Sequence, residues 1–149
     1  MAAANTDPVW VKAAGFGPIA VTAANTSSQG GGTIATDIFL AFTADATNGS
    51  YISRIEWILG ESTIATSSTA TVGRIFISTQ TSGATTSSNT HLWREVALIS
   101  QTPSSTLAGV PIIVPANFWL KAGQTILATN HAAPAANTHW KAMVFAGDY

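Results

Sequence analysis

The sequence predicts an all-β protein, a jelly-roll-like antiparallel β-sandwich of about eight strands, and three observations predict it. Apolar residues fall in short, β-branched runs with a period of two rather than 3.6. These runs recur at short spacing, each bounded by Gly, Pro, Asn or Ser/Thr clusters. Segments whose composition favours helix are broken: Ala13-Ala14 runs into Gly15-Phe16-Gly17-Pro18, and Pro134 interrupts Ala132–Ala136.

The first run is Ile19–Ala24, and the second, Thr33–Thr43, follows Gln29-Gly30-Gly31-Gly32, read as a hinge or bulged connector inside one domain. Asn48-Gly49 suits a tight hairpin with positive φ at both central positions, leading into Tyr51–Leu59. Strict alternation in that third run puts Tyr51, Ile55, Trp57 and Leu59 on one face and Arg54 and Glu56 on the other. Thr71–Ser78 and His91–Ile99 come next; Ile75 and Ile77 on the first, and Leu92, Val96 and Leu98 on the second, are expected in the core. Thr79–Asn89, between them, reads as an exposed, mobile Ser/Thr/Gly loop with no hydrophobic anchor. Val110–Val114, Thr125–Asn130 and Thr138–Ala146 complete the set. No internal repeat has a fixed period, which argues against propellers and solenoids.

One domain is the natural expectation for 149 residues. Residues 17–149 are assigned to a single β-sandwich domain and residues 1–16 to an N-terminal arm. Pro8, Val9, Trp10, Val11 and Phe16 are too few and too broken by Gly15 to build a core of their own. The arm is expected to pack on an adjacent subunit or on the larger surface the chain sits on, with Trp10 as its anchor; the competing reading is a strand that completes the chain's own sandwich.

Only 9% of the residues are charged, against about a quarter in ordinary soluble domains. Ser and Thr take over the surface, and few ions need to be desolvated when such surfaces meet, so the chain reads as part of a larger assembly. A net charge of −1 with no cluster of Lys or Arg disfavours nucleic acid as a partner. Cysteine is absent, which removes disulfides and thiolate chemistry. The start lacks the pattern of a secretory signal and no stretch approaches 18 apolar residues, so synthesis in the cytosol and no membrane span are expected.

Candidate chemistry is sparse. His91, His131 and His139 match no zinc spacing, and no carboxylate cluster lies near them in sequence. Glu56, Glu61 and Glu95 invite an acid/base pair, but Arg54, Arg74 and Arg94 are natural salt partners on neighbouring strands. No Gly-x-Ser-x-Gly elbow is present, and Gly30-Gly31-Gly32 lacks the Lys-Ser/Thr of a phosphate loop. Asn48-Gly49-Ser50 has the form of a glycosylation acceptor without a secretory context. The expectation is a protein that is not an enzyme and carries no cofactor and no metal.

The tryptophans Trp10, Trp57, Trp93, Trp119 and Trp140 say more. Either they anchor the core and subunit interfaces, or exposed members stack on sugar rings. No Trp sits in a cluster of Asn, Asp or Gln, which favours the first reading. Trp10, Phe16, Trp93 and Trp119 are taken as interface candidates.

From Phe16 onward the chain resembles a family of small tailed-phage proteins that look like capsid decoration, or cement, proteins. The matching pieces are Ala24-Asn25-Thr26 with Gly32-Thr33-Ile34, Phe42-Thr43-Ala44, and Ala46-Thr47-Asn48-Gly49-Ser50. Arg54-Ile55, Ala70-Thr71-Val72 and Arg74-Ile75-Phe76-Ile77 follow, then Leu92 with Glu95-Val96-Ala97-Leu98, and Trp140-Lys141-Ala142 running to Gly147-Asp148-Tyr149. Met1–Lys12 and the Gly-Ala-Thr-rich loop Thr81–Asn89 depart from the pattern. The resemblance implies a homotrimer on the outer surface of a phage head, bound to the major capsid protein over capsomer junctions. The rival expectation is a receptor- or glycan-binding module of a tail fibre or virion surface.

Overall fold

A computed structural model of the chain describes residues 13–61 and 67–148. Ten strands are present among them: β1 (Ala13–Val21), β2 (Gly32–Thr33), β3 (Phe39–Thr43), β4 (Ser50–Glu61), β5 (Thr71–Ser78), β6 (Ala84–Thr85), β7 (Thr90–Leu98), β8 (Ile112–Leu120), β9 (Thr125–Asn130) and β10 (Thr138–Asp148). Two antiparallel sheets, ordered β1-β10-β4-β8 and β3-β9-β5-β7, form the sandwich, and the two-residue strands β2 and β6 pair beside it.

Without that short pair, the long strands run first-eighth-third-sixth in one sheet and second-seventh-fourth-fifth in the other, which is jelly-roll order. Successive long strands therefore change sheet at every connection except β5 to β7. The predicted Asn48-Gly49 hairpin consequently does not form, because β3 and β4 lie in different sheets. Asp45 reshapes the turn instead: its carboxylate accepts from Thr47 N (2.9 Å) and Asn48 N (2.7 Å), and its carbonyl accepts from Gly49 N at 3.1 Å. Only Gly49 takes a positive φ, 77°, and a Cβ there would meet Leu120 O at 2.2 Å.

The two sheets close on a core that includes Ile52, Ile55, Trp57, Val114, Trp140 and Val144 from one side and Phe39, Ile75, Leu98 and Ile126 from the other. Each such side chain contributes roughly 1.5–3 kcal/mol on burial. All six residues of β9 are buried, since this central strand faces the main core through Ile126 and Ala128 and a second cluster, Ile38, Phe76 and Leu127, through its other side.

Several expectations from pattern alone are corrected by bulges. Ile52 and Ile55, an odd interval apart, are both fully buried, because the β4–β10 register shifts at Ser53 and resets the alternation. Tyr51 therefore leaves the face of Ile55 and Trp57. On β7 the register shifts at Trp93, so Leu98 is buried while Leu92 is 40% exposed and sits opposite Phe76 instead of in the main core. Val96 and Ile77 pack partly buried against that core.

Strand limits also move. β1 reaches back to Ala13, pairing Ala13 with Asp148 and Phe16 with Phe145. Residues 13–16, assigned above to the arm, thus belong to the sandwich; residues 1–12, with Trp10, lie outside the described residues. Gly15 and Gly17 read as breakers in sequence, but they let β1 lie against β3. A Cβ on Gly17 would meet Ala41 O at 2.0 Å and one on Gly15 the Phe42 ring at 2.8 Å. The run expected over Thr33–Thr43 divides at Ala35 (φ 69°), where Thr33 O accepts from the backbone N–H groups of Thr36, Asp37 and Ile38. The run expected over Val110–Val114 becomes β8, which continues through Pro115 and through Asn117 (φ 52°). An edge strand tolerates both.

The Gly30-Gly31-Gly32 connector and the Thr79–Asn89 loop are tied together. Gly32 and Thr33 pair with Thr85 and Ala84, Thr85 is buried, and Asn89 is held by Thr79 N (3.1 Å), Ser78 Oγ (3.0 Å) and Thr86 N (2.9 Å). Polar backbone pairing does here what a hydrophobic anchor does elsewhere.

Candidate functional site: an open aromatic face

Directly opposed residues of an antiparallel sheet share a face. The register of β1-β10-β4-β8 therefore builds three outward rows: Ala14, Gly147, Tyr51 and Trp119; Phe16, Phe145, Arg54 and Pro115; Pro18, Met143, Glu56 and Ile113. Their chain neighbours Val144, Ile55 and Val114 point into the core. On this face Phe16 is 53%, Trp119 56% and Ile113 56% exposed.

Aromatic contacts hold the face in shape. The Phe16 and Phe145 rings meet edge-on with centroids 5.3 Å apart, and Tyr51 lies 5.4 Å from Trp119. The Tyr51 hydroxyl donates to Asn117 Oδ1 at 3.2 Å. The charges of these rows answer one another: Arg54 Nε donates to Glu56 Oε1 at 2.5 Å, and the same guanidinium lies 3.8 Å over the Phe145 ring. A partner covering the rows meets rings, aliphatic groups and an ion pair already matched, so the desolvation cost is low.

The opposite outer face, that of β3-β9-β5-β7, is covered over β9 and β5 by the chain itself. Ala24 bridges to Asn130, and Asn25 N donates to Asn130 O at 2.7 Å. Arg74, 6% exposed, works as a clasp: Nε donates to Glu95 Oε1 (2.7 Å), Nη1 to Asn25 O (3.2 Å) and Nη2 to His131 Nδ1 (3.1 Å). Asn25 in turn donates from Nδ2 to Gly31 O at 3.0 Å. Ile38 and Ile34 thereby settle on Phe76 and Leu127.

Of the interface candidates, Phe16 and Trp119 both lie on the open face, on its opposite edge strands. Trp93 is half-buried where the free edges of the two sheets approach, its ring 4.9 Å from Phe118 and 5.0 Å from the Arg94 guanidinium. Trp10 lies outside the described residues, and Trp57 and Trp140 are core. Sequence reasoning passed over Tyr51, Phe145 and Ile113. One signal was available: β10 is apolar on both parities, with Met143 and Phe145 between Ala142, Val144 and Ala146, the pattern of a strand covered on both sides.

The titratable groups of the described residues are dispersed. Among the described residues no group of three or more His, Asp or Glu is placed to hold a metal ion. Glu56 and Glu95 are spent in ion pairs. His91 lines a shallow depression of about 330 Å³ with Ser28, Gln29, Ser87, Thr90 and Leu92. Partial burial, and secondarily the Lys141 ammonium, hold the His139 imidazole below its ordinary pKa. Among the described residues no helix is long and apolar enough to cross a membrane.

No family model matches the chain. No curated protein matches it either. Among solved structures it is similar to a chain of the cyanophage Pam1 capsid asymmetric unit, with a TM-score of 0.42 and 11% identity over 92% of this chain and 84% of that one.

Proposed function

We propose that the chain is a structural virion protein, a capsid decoration or cement protein that binds the outer surface of a tailed-phage head as a homotrimer and stabilises capsomer junctions through the major capsid protein. The open face carries this reading. Phe16, Tyr51, Ile113, Trp119 and Phe145 are gathered on one side of a sandwich whose other side the chain covers for itself over β9 and β5, and a patch of this kind marks a protein contact. The free edges argue for contact through the face rather than by strand addition. β8 carries Pro115 and a left-handed Asn117, and β7 carries a bulge beside Arg94 and Glu95. The low charge of the chain and its resemblance to small tailed-phage proteins support the same reading.

Heads of the encoding phage made without this chain, mixed with purified protein and sedimented, test it. Wild type is expected to co-sediment and to raise the temperature at which the heads rupture, whereas Ile113→Asp is expected to stay in the supernatant while remaining folded. Co-sedimentation of Ile113→Asp at the wild-type level would remove the face from the contact. A second reading has one observation in its favour: Trp119 beside Tyr51 and Asn117 is an aromatic and amide combination suited to a sugar ring. Wild type that ignores heads but scores on a glycan array would establish that reading, the receptor- or glycan-binding module of a tail fibre or virion surface.

A further inference from the structure

The open face has a corner, Tyr51 and Trp119, that lies one residue row from the point where the described chain begins. Ala13 pairs with Asp148, Asp148 with Ser50, and Ser50 with Leu120; the next row is Ala14, Gly147, Tyr51 and Trp119. Residues 1–12 therefore join the sandwich at the outer strand of the very sheet whose face is open, at its aromatic end. Extended, they reach up to ~40 Å, against ~14 Å across the sheet, so length does not restrict them to one occupant site.

Local sequence decides the direction. Val11-Lys12-Ala13-Ala14 contains no Gly, Pro, Asn or Asp, so nothing in it favours reversal over the chain's own sheet. Three residues of extended backbone span about 10 Å, so position 10 is within reach of surfaces beyond the last row of the described sheet. The chemistry of the two surfaces also matches. Pro8-Val9-Trp10-Val11 is uncharged and apolar, and Pro8 has no N–H to offer a strand edge, so this stretch is made for side-chain contact with a surface that is itself uncharged in sum. We propose that residues 1–12 of one copy lie across the Tyr51–Trp119 corner of a second copy, with Trp10 packed against Trp119. This rests on the self-association in the function proposed above and names the segment that makes it.

The absence of cysteine makes the test clean, because introduced thiols are the only ones. Lys121 is exposed and lies two residues after Trp119 in sequence. Protein carrying Val11→Cys is mixed with protein carrying Lys121→Cys, without heads, and treated with a short bismaleimide. A cross-chain product joining positions 11 and 121, located by mass spectrometry, is expected. Trp10→Ala in the Val11→Cys chain is expected to abolish it and to weaken self-association by roughly 30-fold or more, the effect of losing an anchoring aromatic. A product that forms only within one chain, when both thiols are on the same copy, overturns the proposal by placing the segment on its own face. No product in either format overturns it as well. Cross-chain product from protein that fails to bind heads leaves the exchange standing and removes only the virion reading.

Discussion

The two outer faces of this sandwich start from similar material and end differently. Both have apolar residues on outward-pointing strand positions: Phe76 and Leu127 on one sheet, Phe16, Phe145, Ile113 and Trp119 on the other. On the first, residues 22–38 fold back, Arg74 fastens them, and Phe76, Leu127 and Ile38 become a second core. On the second, Phe16 packs against Phe145, Tyr51 against Trp119, and Arg54 lies over Phe145, while Phe16, Ile113 and Trp119 stay more than half exposed. An outward apolar position is thus a demand for cover, and the chain's own connections decide whether the cover is internal or must come from another molecule.

Truncation inside the covered face should have the largest effect on stability. Phe76→Ala is expected to cost about 3–5 kcal/mol by chemical denaturation, since it empties the centre of the second core. A cost below 1 kcal/mol would mean that residues 22–38 are not the cover described. Loosening the clasp comes next. Arg74→Ala leaves Asn25 O without its charged donor and should cost about 1.5–3 kcal/mol, with faster proteolysis between residues 22 and 38 as its specific signature.

The open face should respond in the opposite sense. Trp119→Ala removes an exposed ring and its contact with Tyr51, so a loss of about 1 kcal/mol or less is expected in the isolated chain, while attachment to heads fails in the sedimentation assay. A large loss of stability without loss of attachment would make Trp119 a core residue in disguise. The smallest effect is one of pH. The folded-state pKa of His139 lies below the unfolded value of 6.5, so the unfolded chain takes up the proton first as the medium is acidified. The contribution is intact above that value and is lost as pH falls through it toward the folded pKa. Stability should therefore decline modestly between pH 7.5 and 5.5, and Lys141→Gln, which removes the secondary cause, should make the decline shallower. An unchanged slope would leave burial alone responsible.

Much of the fold was legible in the sequence because strand content is local. Period-two runs between turn residues marked Thr71–Ser78 and Thr125–Asn130 at the limits the structure shows, and nearly placed β4 and β10. What misled was equally physical. Gly15 and Gly17 look like breakers until β3 is seen pressed against them, and Pro115 looks like an end until β8 is known to be an edge. Of the candidate site, Phe16 and Trp119 were legible as large aromatics in a chain with few charges, whereas Tyr51 was assigned to the wrong face.

What the sequence determined by itself was a cysteine-free chain with few charges, cut by its turn residues into about eight strands, since composition and backbone preference act over a few residues. What only the tertiary structure decided was which side of each strand is covered. The bulges at Ser53 and Trp93 shift alternation by one residue, and the route of residues 22–38 covers one outer face over β9 and β5 and leaves the other open. Parity and cover both depend on partners distant in sequence, and a one-residue slip that costs nothing in composition turns a side chain from core to surface.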